Sequence, residues 1–209
     1  MSTAPEVFEH RLVLHQVPWE TYQSLRAANP SGHLRMTYDS GELEIMSPSR
    51  KRERMSYLIG RMIDQWTLAH DIAIGAGRNT TFSRQDLLKG LEPDNCYWIA
   101  HELQMRDVEE VDLTIHPPPD LALEVDVTRS SLAKLPIYQA LAVPEVWRWR
   151  HETLEVLRLD ASGSYQPHSD SVELAGFPLD VVVRTLADRA GTGDTTLIDR
   201  FVRRIKSRR

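Results

Sequence analysis

Four carboxylates fall where strands would bury them. Asp94 follows Pro93 at the head of one predicted strand, and Asp120 follows Pro119 at the head of another. Glu124 lies inside the second, in Asp120-Leu-Ala-Leu-Glu-Val-Asp-Val127, an apolar run broken only by acids. Such a run fits a central strand covered on both faces. Strand alternation sets Asp120, Glu124 and Asp126 on one side. An ionised carboxylate in a buried strand is costly unless it is paired or binds a cation. Several on one face also raise one another's pKa. A divalent cation relieves both strains. Mg²⁺, or Mn²⁺ in its place, takes hard oxygen ligands, commonly one or two carboxylates, and keeps water and phosphate as the rest.

A site of this kind can hydrolyse a phosphodiester. The metal polarises the phosphoryl oxygens and lowers the pKa of a bound water. A nearby lysine orients that water and offsets charge. Asp94, Glu124 and Asp120 are the candidate ligands, and Lys134, one helical segment beyond Glu124, is the candidate lysine. Each also has a plainer reading. Asp94 and Asp120 could start a strand or cap a turn, Glu124 could sit in a buried ion pair, and Lys134 could be a surface lysine. Asp126 stands evenly between the two.

The elements that must position these residues are legible in outline. Pro18 followed by Trp19, Tyr22 and Leu25 predicts a short helix over 18–29. Alternation in Leu34, Met36 and Tyr38, a turn at Asp39-Ser40-Gly41, and alternation in Leu43 and Ile45 predict a hairpin over 33–46. Met55, Leu58, Ile59, Met62, Ile63 and Trp66 recur at helical spacing after the cap-like Ser47-Pro48-Ser49. The basic residues Arg50, Lys51, Arg52 and Arg54 then occupy the first turn of this helix, against its dipole. They read either as an anion contact or, preferentially, as solvated charge. Short extended pieces are expected at 71–74 and 79–83, parted by a turn at Gly75-Ala-Gly77. Further expectations are a strand over 95–100, a loop over 101–119, a helix over 130–142 with Pro136 near its first turn, strands over 145–150 and 154–159, and a closing amphipathic helix over 194–207 capped by Asp194. Together these predict one domain, an α/β fold in which a mixed sheet is flanked by helices. Its core spans about 33–160, with a helical extension over about 178–209.

Composition narrows the classes. The chain has 209 residues, long enough for a sizeable core, and a net charge of −5. A tight nonspecific DNA binder is usually basic, so any nucleic-acid contact must use local patches such as 50–54 or the tail 203–209. No apolar run is long enough to cross a bilayer, and no secretory signal is seen, so a cytoplasmic location is expected. The single Cys96 excludes an intrachain disulfide. The histidines show no ligand spacing, and no nucleophile elbow, phosphate loop or dinucleotide fingerprint is present.

Gly41-Glu-Leu-Glu-Ile-Met-Ser-Pro48, Pro93-Asp94, Pro118-Pro-Asp-Leu-Ala-Leu-Glu-Val125, Lys134, Tyr138 and Val143-Pro-Glu-Val-Trp147 occur in an order that resembles the Uma-type restriction endonucleases of the PD-(D/E)XK nuclease superfamily. The resemblance spans roughly residues 15–185. It implies a restriction-endonuclease-like core, a Mg²⁺-dependent cut in DNA, and a possible homodimer. It makes Asp94 the aspartate of the PD pair and Glu124 the acid of the (D/E)XK element, with Asp120 as a further acidic position. Asp126 holds the place of the usual lysine, two residues beyond Glu124, and Lys134 on the following helix substitutes. Arg52 stands where the family often has histidine, followed by Glu53, which is either a helical site acid or a solvated glutamate. The alternative is a catalytically degenerate nuclease-fold module that binds nucleic acid or a protein partner.

Overall fold

A computed structural model describes residues 9–30, 32–127 and 133–207. Strand alternation and the Ser40-Gly41 turn build the first sheet. β2 (Arg35–Asp39) and β3 (Glu42–Ser47) form the expected hairpin, and Ser40 and Gly41 both take positive φ, the geometry of a type I′ turn. β1 (His10–Leu14) pairs with β3, while β5 (Phe82–Arg84) and β6 (Lys89–Leu91) extend the far side in the order β1-β3-β2-β6-β5. α1 (Trp19–Ala27) places Trp19 and Tyr22 against Tyr38, with the Tyr22 and Tyr38 rings stacked 4.8 Å apart.

The second sheet carries the acids. Its order is β11 (Tyr165–His168), β10 (Thr153–Leu159), β9 (Glu145–Arg150), β8 (Leu121–Asp126), β7 (Asn95–Trp98) and β4 (Gly75–Ala76). Among the described residues of this sheet β8 and β9 run parallel and the other pairs are antiparallel. β8 is central and buried on both faces, as its apolar run requires. Leu121, Leu123 and Val125 face α2 (Arg50–Ala69), α5 (Leu179–Ala187) and α6 (Asp194–Lys206) in one core. Ala122 faces a second core containing Ile137 and Tyr138 of α4 (Leu135–Ala140) and Met105 of α3 (Glu102–Met105). The C-terminal helices thus help close the same core as the long helix. Among the described residues no helix is long and apolar enough to cross a membrane.

Several expectations are corrected. Gly75 and Ala76 are a strand rather than a turn. The close approach of Gly77 to the sheet explains the glycine there: a Cβ would meet Cys96 Sγ and Trp98 Cζ3 at 2.6 Å. The loop over 101–119 contains α3. α4 begins only at Leu135, with Pro136 in its first turn, and the expected start at Ser130 lies outside the described residues. Gly193, not Asp194, is the N-cap of α6; Asp194 is its first residue and pairs with Arg54 at 2.7 Å.

Candidate active site

β7 and β8 bring Asp94 and Glu124 side by side. Asn95 pairs with Leu123 in antiparallel register, so Asp94 stands just before that pair on one strand and Glu124 just after it on the other. The Asp94 N–H donates to the Leu123 carbonyl at 3.2 Å. Its carboxylate Oδ2 accepts the Val125 N–H at 2.8 Å, which draws it against the residue next to Glu124. Ser56 Oγ on α2 donates to the Asp94 carbonyl and fixes the turn from behind.

Glu124 is 4 % exposed and sits on the α4 side of β8. Lys134 Nζ, at the start of α4, lies 2.7 Å from its Oε2, and the Tyr138 hydroxyl donates to its Oε1. One turn of helix separates these two donors, so both reach the same carboxylate. Burial pushes the Glu124 carboxyl up; Lys134 opposes that, and the neighbouring Asp94 charge reinforces it. Burial together with the Glu124 charge drives the Tyr138 phenol well above its ordinary range, so the hydroxyl stays a donor.

Arg52 completes the group. It is 2 % exposed, not a solvated cation. Its Nη1 donates to Asp94 Oδ2 at 2.8 Å, while Nε and Nη2 bind Glu9 at 2.7 and 3.0 Å. Burial works against the guanidinium charge, but Asp94, Glu9 and Glu124 outweigh it and push the pKa further up. The sequence held a signal for this: Arg52 lies on the same stripe of α2 as Met55 and Ile59, three and seven residues on, which faces the core. Glu53, by contrast, is half exposed and pairs with Arg35 at 3.0 Å.

Asp120 does not join the group. It lies four residues from Glu124 along β8, about 13 Å at strand rise. Its Oδ2 accepts the Ile99 and His101 N–H groups, and its Oδ1 meets His101 Nδ1 at 2.6 Å. Alternation placed it on the right face but at the wrong end, where it anchors the turn after β7. Among the described residues no group of three or more His, Cys, Asp or Glu side chains is placed to hold a metal, and Asp120 stands apart from Asp94 and Glu124. Asp126 is half-buried, and Arg148 Nε on β9 stands 3.9 Å away. The parallel register sets Arg148 opposite Glu124 and Arg150 opposite Asp126. These cations were missed because strand pairing is not visible in one segment alone.

Two clefts open at the carboxylates. Glu124, Lys134, Tyr138 and Arg148 line one of about 610 Å³, whereas Asp94 lines a separate one of about 260 Å³ together with Arg35, Arg61 and Arg78. The donor set fits a hard dication. It offers two carboxylates on neighbouring strands, and Asp94 Oδ1 accepts no hydrogen bond among the described residues.

No curated protein matches the sequence. A family model described as "Uma2: Putative restriction endonuclease" matches residues 19–187, which takes in Arg52, Asp94, Glu124, Lys134 and Tyr138. With most of its length covered by that model, on a mixed α/β framework of the restriction-endonuclease-like kind, the chain belongs to the Uma2 family.

Proposed function

We propose that this protein is a Mg²⁺-dependent endonuclease that hydrolyses DNA phosphodiester bonds at Asp94 and Glu124. The observation that carries this reading is the pair of buried carboxylates on β7 and β8 with Lys134 held 2.7 Å from one of them. Asp94 and Glu124 would hold the ion. When bound, it would polarise the phosphoryl oxygens and lower the pKa of an attacking water. Lys134 Nζ, fixed on Glu124 beside the larger cleft, orients that water and offsets charge on the phosphate. Tyr138 keeps the Glu124 carboxylate in one rotamer, and Arg52 does the same for Asp94.

The test is nicking of supercoiled plasmid with Mg²⁺ or Mn²⁺. Wild-type protein should nick, and Asp94→Ala or Glu124→Ala should abolish nicking while the circular dichroism spectrum is kept. Activity that survives in both variants overturns the assignment.

A second reading has an observation of its own. Arg52 and Lys134 already neutralise the two carboxylates, and the two acids open on different clefts. That arrangement suits a degenerate module that binds nucleic acid without cutting it. Such a module shows no metal-dependent rise in melting temperature. A cation that binds only the folded state at a hundred times its Kd adds about 2.7 kcal/mol.

A further inference from the structure

The cleft around Glu124 continues into a second one of about 550 Å³ between the first turns of α2 and α6, and Lys51 and Met55 line both. Lysine and arginine side chains in the two walls number seven, against four carboxylates, an excess of three positive charges on a chain whose net charge is −5. Some of this charge is internally engaged: Arg54 with Asp194 at 2.7 Å, Arg189 with Glu152 at 2.5 Å, and Lys134 with Glu124. Arg50, Lys51 and Arg150 have no ion pair among the described residues, and none of the three is buried. The N-termini of α2 and α6 add their partial positive charge to the same cleft. The rest of the chain carries a net negative charge, so this face is favoured for a polyanion over the chain's average surface.

We propose that this continuous basic surface, from Arg150 through Lys51 to Arg50, binds the sugar–phosphate backbone of duplex DNA and leads one strand to Glu124 and Lys134. The proposal rests on the nuclease reading and specifies where its substrate lies. Arg50 and Lys51, set in a helical first turn against the dipole's preference, are explained as phosphate ligands. Arg150, opposite Asp126 in the strand register, reaches the same cleft from β9.

The test is fluorescence anisotropy of a labelled DNA duplex with full-length protein in EDTA, where no metal-dependent cut occurs, across a salt titration. The proteins compared are wild type, Arg50→Ala/Lys51→Ala/Arg150→Ala, and Arg106→Ala on α3 as control. Three lost phosphate contacts lower the slope of log K against log salt by about 2.7. Between about 50 and 200 mM salt the wild-type affinity then falls about 40-fold further than that of the triple variant. Arg106→Ala keeps the wild-type slope. An unchanged slope in the triple variant, an equal drop in the control, or wild-type protein that binds no duplex overturns the proposal. Plasmid nicking by the same proteins separates the two claims. Nicking with an unchanged slope leaves the carboxylate chemistry standing and refutes this path. A lowered slope without wild-type nicking supports the surface and refutes the nuclease.

Discussion

Replacing Arg52 with Met probes the buried charge group most directly. The guanidinium makes three hydrogen bonds to two carboxylates, and the side chains of Arg52, Glu9 and Asp94 are each no more than 3 % exposed. Met keeps most of the apolar volume, so the change is chiefly electrostatic. Removing one partner of a buried pair strands the other charges and costs about 3–5 kcal/mol. For a chain of this size each kcal/mol moves the melting temperature by about 2–4 °C, so Arg52→Met should melt about 6–20 °C below wild type in EDTA. Asp94→Asn in the Arg52→Met background removes a stranded charge and should recover part of that loss, a coupling that a double-mutant cycle measures. Mg²⁺ should also restore part of it, and by more than it adds to wild type, because Asp94 is then released from Arg52. Calorimetry in EDTA and in saturating Mg²⁺ reads all of this. A loss below about 1 kcal/mol refutes the tightly buried pair, since a stranded buried charge cannot be that cheap. No Mg²⁺ effect on either protein refutes the carboxylates as an ion site.

Asp120→Asn should lower stability by about 1–3 kcal/mol, because the turn after β7 loses charged hydrogen bonds, while plasmid nicking persists at the wild-type rate. Loss of nicking in a variant that melts like wild type would return Asp120 to the catalytic group. Glu173 is half-buried, and burial, followed by the Asp120 and Glu145 charges, pushes its carboxyl up to about 7. A raised carboxyl binds more protons in the folded state than in the unfolded one. Stability from this group is therefore full below about pH 4.5 and lost as pH rises toward 7. Glu173→Gln should accordingly gain on wild type in melting temperature between pH 4.5 and 8, and a gap that does not change with pH would refute the assignment.

The parts of the fold that could be read from sequence were those long enough to show a period. α2 and α6 display their stripes over several turns, and the β2–β3 hairpin carries both alternation and its turn. β6, α3 and β11 span three or four residues each, too few to complete a pattern, and only their partners define them. In the candidate site, the juxtaposition of Glu124 with Lys134 was legible because an acid inside an apolar strand demands compensation. Asp120 was misplaced because alternation specifies a face and says nothing about distance along it. Arg52 was misread because charge in a first turn suggested solvent, although its place on the apolar stripe of α2 pointed inward.

Asp126 illustrates how a charge missing from one position is supplied from others. A lysine two residues beyond Glu124 would reach the site from the same strand, and an acid there ought to leave Glu124 facing added negative charge. Lys134 instead approaches from the start of α4, at 2.7 Å, while Arg148 and Arg150 on β9 stand opposite Glu124 and Asp126. The position of a cation in the chain is electrostatically irrelevant; its distance and burial decide its effect. Lys134 is largely buried beside Glu124, with its side chain 13 % exposed, so solvent screens it little, whereas Arg148 is shared between Asp126 and Glu155. The parallel register of β9 on β8 brings Arg148 to 3.9 Å from Asp126, although its closer partner is Glu155 at 2.7 Å. A one-residue slip of that register would carry both arginines to the opposite face and take Arg148 away from Asp126.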